Sequence, residues 1–315
     1  MKGQGTGNHM NGLLATHLLA LEFNRTVCVS PDYKEFHLAF RSRQPALQEA
    51  CDPIIKEYND NVNLRIMLNN FGKPPNECRL QQQLADRKQP VWVILANTYP
   101  RWPEVPPNFF FQYYEPTPAL LAWLPYPQSP HTVVHLRTPD KHGADDRAGL
   151  DNATFAMLYQ TLPSDTFLVT NNVAWYDHFP TWQHPAWTIV QHTATSRFWG
   201  DTPEHHETNR AVQVLQMWVD WFTILSAQRV YHTASDYSHS AIHWQNIDAR
   251  IIQGVYPNGT LDLVHESWIR DGLTPRLVDR TINATTEKGE LRLCKEDDLS
   301  WLRKRKKKSV AYIVR

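Results

Sequence analysis

The apolar positions of this chain change period several times, and each change marks an element. Leu13, Leu14, His17, Leu18 and Leu21 recur at helical spacing. They predict an amphipathic helix behind a glycine-rich stretch, Gly3 to His9, which reads as a loop. Arg25-Thr-Val-Cys-Val29 predicts a short buried strand. The first thirty residues therefore spell loop, helix, strand, a piece of a βαβ unit. Residues 31–90 are more polar and predict helices such as Ala46 to Tyr58. Val91-Trp-Val-Ile-Leu95 returns to a strand pattern. Residues 99–130 are dense in proline and aromatics, including Phe109-Phe-Phe and Tyr113-Tyr. They read as a crossing between two lobes or as a long surface loop with its own aromatic cluster.

A second alternation follows. Thr132 to Arg137 predicts a strand, Asn152 to Gln160 a helix, Thr166 to Val169 a strand, and Trp187-Thr-Ile-Val190 another. From Asn209 to Ser226, apolar residues at 212, 215, 218, 219 and 222 make the stripe of a long buried helix. Trp218, Trp221 and Phe222 on it read as core. Arg229-Val-Tyr-His232 predicts a strand, and Ser235 or Asp236 starts a helix running through Trp244. Strands alternating with helices predict a mainly parallel α/β sheet.

Where these strands end, the chemistry begins. His131-Thr-Val-Val-His-Leu-Arg-Thr-Pro-Asp-Lys141 passes from core residues to His135, Arg137, Asp140 and Lys141. Ligands of α/β proteins bind at such strand ends. Arg137 and Lys141 bring fixed positive charge suited to a phosphate-bearing ligand, and His135 and Asp140 can position or exchange protons. The alternative is a solvated corner with a local Asp140–Lys141 pair. Thr233-Ala-Ser-Asp-Tyr-Ser238 puts small hydroxyls between a strand and a helix. That suits a phosphate or ribose at the helix N-terminus, or ordinary capping with no ligand. The spacing of the glycines at residues 3, 5 and 7 is not that of a dinucleotide-binding fingerprint.

Composition narrows the classes. A length of 315 residues allows one large domain or two of average size. Lys and Arg balance Asp and Glu at 32 each, so the overall field does not favour nucleic acid. The basic run Arg303-Lys-Arg-Lys-Lys-Lys308 reads first as a solvated tail, with a nuclear signal or an anionic-surface patch as the alternatives. Twelve tryptophans suit sugar stacking and core packing equally. Cys28, Cys51, Cys78 and Cys294 form no CxxC pair, which excludes a zinc ribbon and leaves one or two disulfides open. Among 15 histidines, His239 and His243 stand one helical turn apart, but no HExxH and no third ligand accompany them. Sequons occur at Asn24, Asn152, Asn258 and Asn283. Asn24, just before an apolar run, is expected to be too enclosed for glycosylation. No signal peptide or membrane span is visible, since His17 and Glu22 interrupt the best apolar stretch. A glycine-rich stretch with no strand before it suggests that a first strand, and an upstream membrane anchor, precede this sequence.

The order of these motifs resembles the GDP-fucose fucosyltransferases, both core α1,6-type enzymes and protein O-fucosyltransferases. Gly7-Asn-His-Met-Asn-Gly12, a helix, and Leu21-Glu-Phe-Asn-Arg-Thr-Val27 look like the family's opening. His135-Leu-Arg-Thr-Pro-Asp-Lys141 is similar to its H-x-R-R-x-D-K motif. Val219-Asp-Trp221 through Leu225-Ser226, then Tyr231 to Asp236, is similar to its D…LS…T-x-S-S segment. The resemblance implies an α/β, GT-B-like fold: two Rossmann-like lobes with mainly parallel sheets facing a central cleft. The N-terminal, acceptor-side lobe would span residues 1–125, the donor-side lobe 126–275, and an extension with the basic tail 276–315.

The same resemblance implies fucosyl transfer from GDP-fucose to a glycan or protein hydroxyl, with inversion, without metal or cofactor, in the secretory pathway (Golgi or ER lumen). Partners would be the nucleotide sugar and a glycan or glycoprotein acceptor. Arg137, Lys141 and Asp145 would be catalytic, Asp145 as base with Asp146 an equally placed alternative. His135, Arg137, Asp140, Asp220, Thr233, Ser235, Asp236 and Ser238 would hold the donor, and Gly7, Asn8, His9 and Asn11 the N-terminal glycine loop. Four positions depart from the family: Thr138 replaces an arginine, Pro139 stiffens the loop, and Asn171-Asn172 replaces an acidic pair. A catalytically silent nucleotide- or glycan-binding protein is the alternative these departures suggest.

Overall fold

The computed structural model describes residues 6–22, 24–31, 33–59, 65–67, 91–95, 105–124, 131–137, 150–170, 175, 179–185, 207–233, 235–265 and 311–314. Helix α1 is Thr6–Glu22, followed by β1 (Thr26–Val29), α2 (Lys34–Ala39), β2 (Phe40–Ser42) and α3 (Pro45–Asn59). Then come β3 (Arg65–Met67), β4 (Val91–Leu95), α4 (Phe109–Tyr113), β5 (Tyr114–Pro116) and α5 (Pro118–Leu121). The next elements are β6 (Thr132–Leu136), α6 (Asn152–Thr161), β7 (Phe167–Thr170), α7 (Glu207–Leu225), β8 (Arg229–His232) and α8 (Asp236–Gln245). Strands β9 (Asp248–Val255), β10 (Leu261–His265) and β11 (Ala311–Val314) complete them. The expected strand at 187–190 lies outside the described residues.

The architecture is mixed α/β. A five-stranded sheet runs in the order β10-β9-β8-β6-β7. Its strands are parallel from β9 to β7, and β10 returns antiparallel on β9. Helices connect these parallel strands, as parallel pairing requires. A four-stranded sheet runs β1-β11-β4-β3, with β11 antiparallel to both neighbours and β3 parallel to β4. Strands β2 and β5 form a separate antiparallel ribbon.

Strand β6 shows how the core is divided. Its side chains alternate with period two, and Val133, Val134, His135 and Leu136 are all buried. Val133 joins a large cluster with α1, α7 and α8, whereas Val134 and Leu136 join a second cluster under α6 with Phe155, Leu158 and Trp182. The large cluster is aromatic, and its indoles are hydrogen-bonded as buried tryptophans require. Trp218 donates to Glu35 O at 2.8 Å, Trp221 to Ser240 Oγ at 2.8 Å, and Trp244 to Met10 O at 2.9 Å. The core reading of Trp218, Trp221 and Phe222 therefore holds.

Several expectations are corrected. Helix α1 begins at Thr6, inside the stretch read as a loop. It is not amphipathic over its first three turns: of residues 6–18 all but Asn8 are buried. It packs against α8, β1 and β11, so it needs apolar residues on every side. The helix ends in a left-handed residue, Asn24 (φ 49°). Asn24 N–H donates to Leu21 O and Arg25 N–H to Ala20 O, which satisfies the last carbonyls. That turn leaves Asn24 exposed, not enclosed. Residues 105–124 are not a plain loop, because α4, β5 and α5 lie there and Phe109 and Phe110 enter the large cluster. Strand β11, within the residues 276–315 expected as a C-terminal extension, pairs in the four-stranded sheet between β1 and β4. Cys28 and Cys51 form a disulfide joining β1 to α3.

Candidate functional site

Strands β6 and β8 are adjacent and parallel, with His135 level with His232. Their carboxyl ends therefore open at one place, where the chain leaves for two loops. Arg137 N–H donates to Thr233 Oγ at 2.8 Å, and Thr233 N–H donates to His135 O at 3.0 Å. These two bonds stitch the loop after β6 to the loop after β8. On β6, His135 shares the face of Val133, the side on which α7 and α8 pack, and Arg137 follows directly after the strand. The His135 ring lies 5.7 Å from the ring of Tyr237, the second residue of α8.

Tyr237 is the residue the sequence reading missed. Its hydroxyl donates a short hydrogen bond to Met217 O on α7. Burial pushes its hydroxyl well above the ordinary tyrosine range, and the Asp220 carboxylate pushes the same way. A hydrogen bond from the Trp221 backbone and the Arg137 guanidinium act in the opposite sense. Asp220, almost fully buried on α7, and Arg137, half-buried at the strand end, thus act on one phenol from opposite signs of charge. Tyr237 stays neutral and holds α8 to α7.

The hydroxyl-rich loop is divided between structure and exposure. Ser235 is the N-cap of α8 and accepts from Tyr237 N–H at 3.3 Å. Ser238 is wholly buried; its hydroxyl contacts His232 Nδ1 at 3.2 Å and donates to Ser235 O at 3.1 Å. Thr233 is buried and holds the Arg137 amide. These hydroxyls fix the shape of the loop, and Ser238 faces the interior instead of lining an opening. Asp236, first residue of α8, is exposed. Packing around it raises its carboxyl, while His239 draws it down.

Gly7 completes the arrangement. It lies in the first turn of α1, and a Cβ there would run into the backbone of Asp236 and Tyr237. Glycine is required by the direct packing of one helix start on another, not by a turn. Thr6 Oγ1 also donates to Met217 Sδ at 2.9 Å. His9 meets Tyr33 edge-on at 5.4 Å, and burial lowers its pKa to about 4, so the ring is neutral. Asn11 is buried, and Asn8 is the partly exposed member of the group. The four residues predicted as a glycine loop are therefore the opening of a helix, three of them enclosed.

The structure brings together Gly7, His135, Arg137, Asp220, Thr233, Ser235 and Asp236 from four elements and two loops. Lys141, Asp140, Asp145 and Asp146, together with Thr138, Pro139 and Asn171-Asn172, lie outside the described residues. His239 and His243 have ring centroids 5.8 Å apart, and His232 lies 5.1 Å from His239. Among the described residues no group of three or more His, Cys, Asp or Glu could hold a metal ion. Nor, among them, is any helix long and apolar enough to cross a membrane.

No family model matches the chain, and no curated protein does. One solved structure, of NodZ alpha-1,6-fucosyltransferase soaked with GDP-fucose, is similar over 83% of this chain and 96% of that one. Its identity to this chain is 12% and its TM-score 0.43.

Proposed function

We propose that this protein binds a nucleoside-diphosphate sugar at the carboxyl ends of β6 and β8 and transfers fucose from GDP-fucose to a glycan or protein hydroxyl. The observation that carries this reading is the placement of Arg137. It stands where parallel strands open, its amide fixed by Thr233 and its charge felt at Tyr237 in the first turn of α8, the turn on which the start of α1 packs. A guanidinium held there suits a diphosphate, and helix N-termini add positive potential on the same side.

In the transfer, the acceptor oxygen attacks the anomeric carbon and the bond from that carbon to the β-phosphate oxygen breaks. The electron pair leaves with the diphosphate, whose charge Arg137 and Lys141 neutralise. Asp145, with Asp146 as the equally placed alternative, takes the acceptor proton. His135 and Asp220 are assigned to the guanosine side, and Asp140 and Asp236 to holding the donor. Ser235, Thr233 and Ser238 keep those loops in shape. The reading includes inversion, no metal, a two-lobed GT-B arrangement and a secretory-pathway location.

The second reading, a silent binding protein, is favoured by Thr138 where the family has arginine. One experiment addresses both. Calorimetry with GDP and GDP-fucose is combined with a donor-hydrolysis assay on the intact chain and on Arg137→Ala. Binding plus turnover, both lost in the variant, supports the transferase. Binding without turnover supports the silent form, and undiminished turnover in Arg137→Ala refutes the role given to Arg137.

A further inference from the structure

The four-stranded sheet has an unusual member. Strands β1 and β4 run parallel to each other, and β11 is inserted between them antiparallel to both. Four consecutive residues pair on each side: Ala311 to Val314 against Val29 to Thr26, and against Ile94 to Val91. Residues 266–310 separate β11 from β10, and more than two hundred residues separate it from β4. No hairpin ties it to either neighbour. Besides the packing of α1, its hold is the ladder itself, whose net hydrogen-bond gain is offset by the entropy of ordering four residues.

The walls of the gap are braced without β11. Strand β1 is linked to α3 by the Cys28–Cys51 disulfide. Its outer edge is closed by a side chain of the same helix: Gln48 Oε1 accepts from Val29 N–H at 3.1 Å, and Gln48 Nε2 donates to Val29 O at 2.9 Å. A new strand cannot pair at Val29 on that edge without displacing Gln48, so the inner edge is where β1 takes a partner. On the other side, β4 is already paired with β3. The gap is thus a slot with two strand walls, each braced from behind.

We propose that the space between β1 and β4 is a strand-binding slot for an extended apolar peptide, and that residues 311–314 of this chain are its exchangeable occupant. Main-chain pairing on both sides supplies affinity, as when an extended segment is added to a sheet. Helix α1 packs on β11 as well as on α8, so filling the slot also supports the helix that carries Gly7 to the site.

The test uses the full chain and a fluorescein-labelled synthetic peptide of residues 309–315. In Ile313→Pro, one ladder N–H is lost whichever neighbour it faces. This variant should bind the labelled peptide about tenfold or more tighter than the intact chain, whose slot is filled. A scrambled peptide should bind neither. Hydrogen exchange on the intact chain is read in parallel. Amides of residues 311–314 should be slowed about a hundredfold or more relative to an unstructured peptide, together with those of 26–29 and 91–95. Unprotected exchange at 311–314 overturns the proposal, even if Ile313→Pro fails to fold. So does a folded Ile313→Pro chain that binds no more peptide than the intact one.

Discussion

Acidification should destabilise this protein through His17, and the size of the effect follows from its surroundings. His17 is buried on α1, with Nε2 2.7 Å from the Tyr114 hydroxyl. The rings of Tyr113, Tyr114 and Trp244 lie 4.1 to 5.5 Å from its centroid. Burial lowers its pKa to about 3. The unfolded chain, with an ordinary histidine near 6.5, therefore binds a proton through a range in which the folded chain does not. Stability falls as pH drops below about 6.5, at roughly 1.4 kcal/mol per pH unit, until the folded pKa is reached. Between pH 7 and pH 5, His17 alone costs about 2 kcal/mol on this linkage. His9, lowered to about 4 by the same cause, adds a similar loss. Urea unfolding at pH 7 and pH 5 measures the total for the intact chain. In His17→Gln the side chain can still bond to Tyr114 but cannot titrate. The stability lost between the two pH values should be smaller in the variant by about 2 kcal/mol. An equal loss in both proteins would refute the buried neutral histidine.

Three further outcomes follow from the packing. Gly7→Ala forces a methyl into the Asp236–Tyr237 backbone and should destabilise by about 1–3 kcal/mol while weakening nucleotide binding. Thermal unfolding and calorimetry with GDP check both. Ser235→Ala removes the cap of α8 and should cost about 1 kcal/mol, with nucleotide affinity changed less than about threefold. A large affinity loss there would show that the hydroxyl meets ligand. Trp244→Ala empties a fully buried site and cuts the bond to Met10, so a loss of about 3–5 kcal/mol in chemical denaturation is expected.

Much of the five-stranded sheet was legible because its signals are local. Val133-Val134 and Val230 mark buried strands, and the switch to His135 and Arg137 marks their ends. Ser235 announces α8 by ordinary capping chemistry. What was not legible depends on contacts between distant residues. Gly7 reads as a turn residue, and its real reason, the backbone of Asp236, lies far along the chain. Tyr237 carries no sequence signal, because its value comes from reaching Met217 on another helix. The aromatics at 109–114 look like a proline-rich loop until Phe109 and Phe110 are seen against Trp244. Strand β11 follows a basic run that reads as solvated, and only its pairing with β1 and β4 reveals it. Asn24 was misjudged for a related reason, since the apolar run after it does not show that the helix closes on an exposed left-handed residue.

If the Arg137 guanidinium receives a diphosphate at the open end of β6 and β8, GDP binding depends on that side chain. Titrating GDP into the intact chain and into Arg137→Ala, under one buffer and salt concentration, measures that dependence. Losing a charge-assisted contact should weaken binding by about 1.5–3 kcal/mol, more than tenfold in Kd, with the fold and melting temperature retained. Equal affinity in the two proteins, or no binding by the intact chain, would rule out a diphosphate site at Arg137.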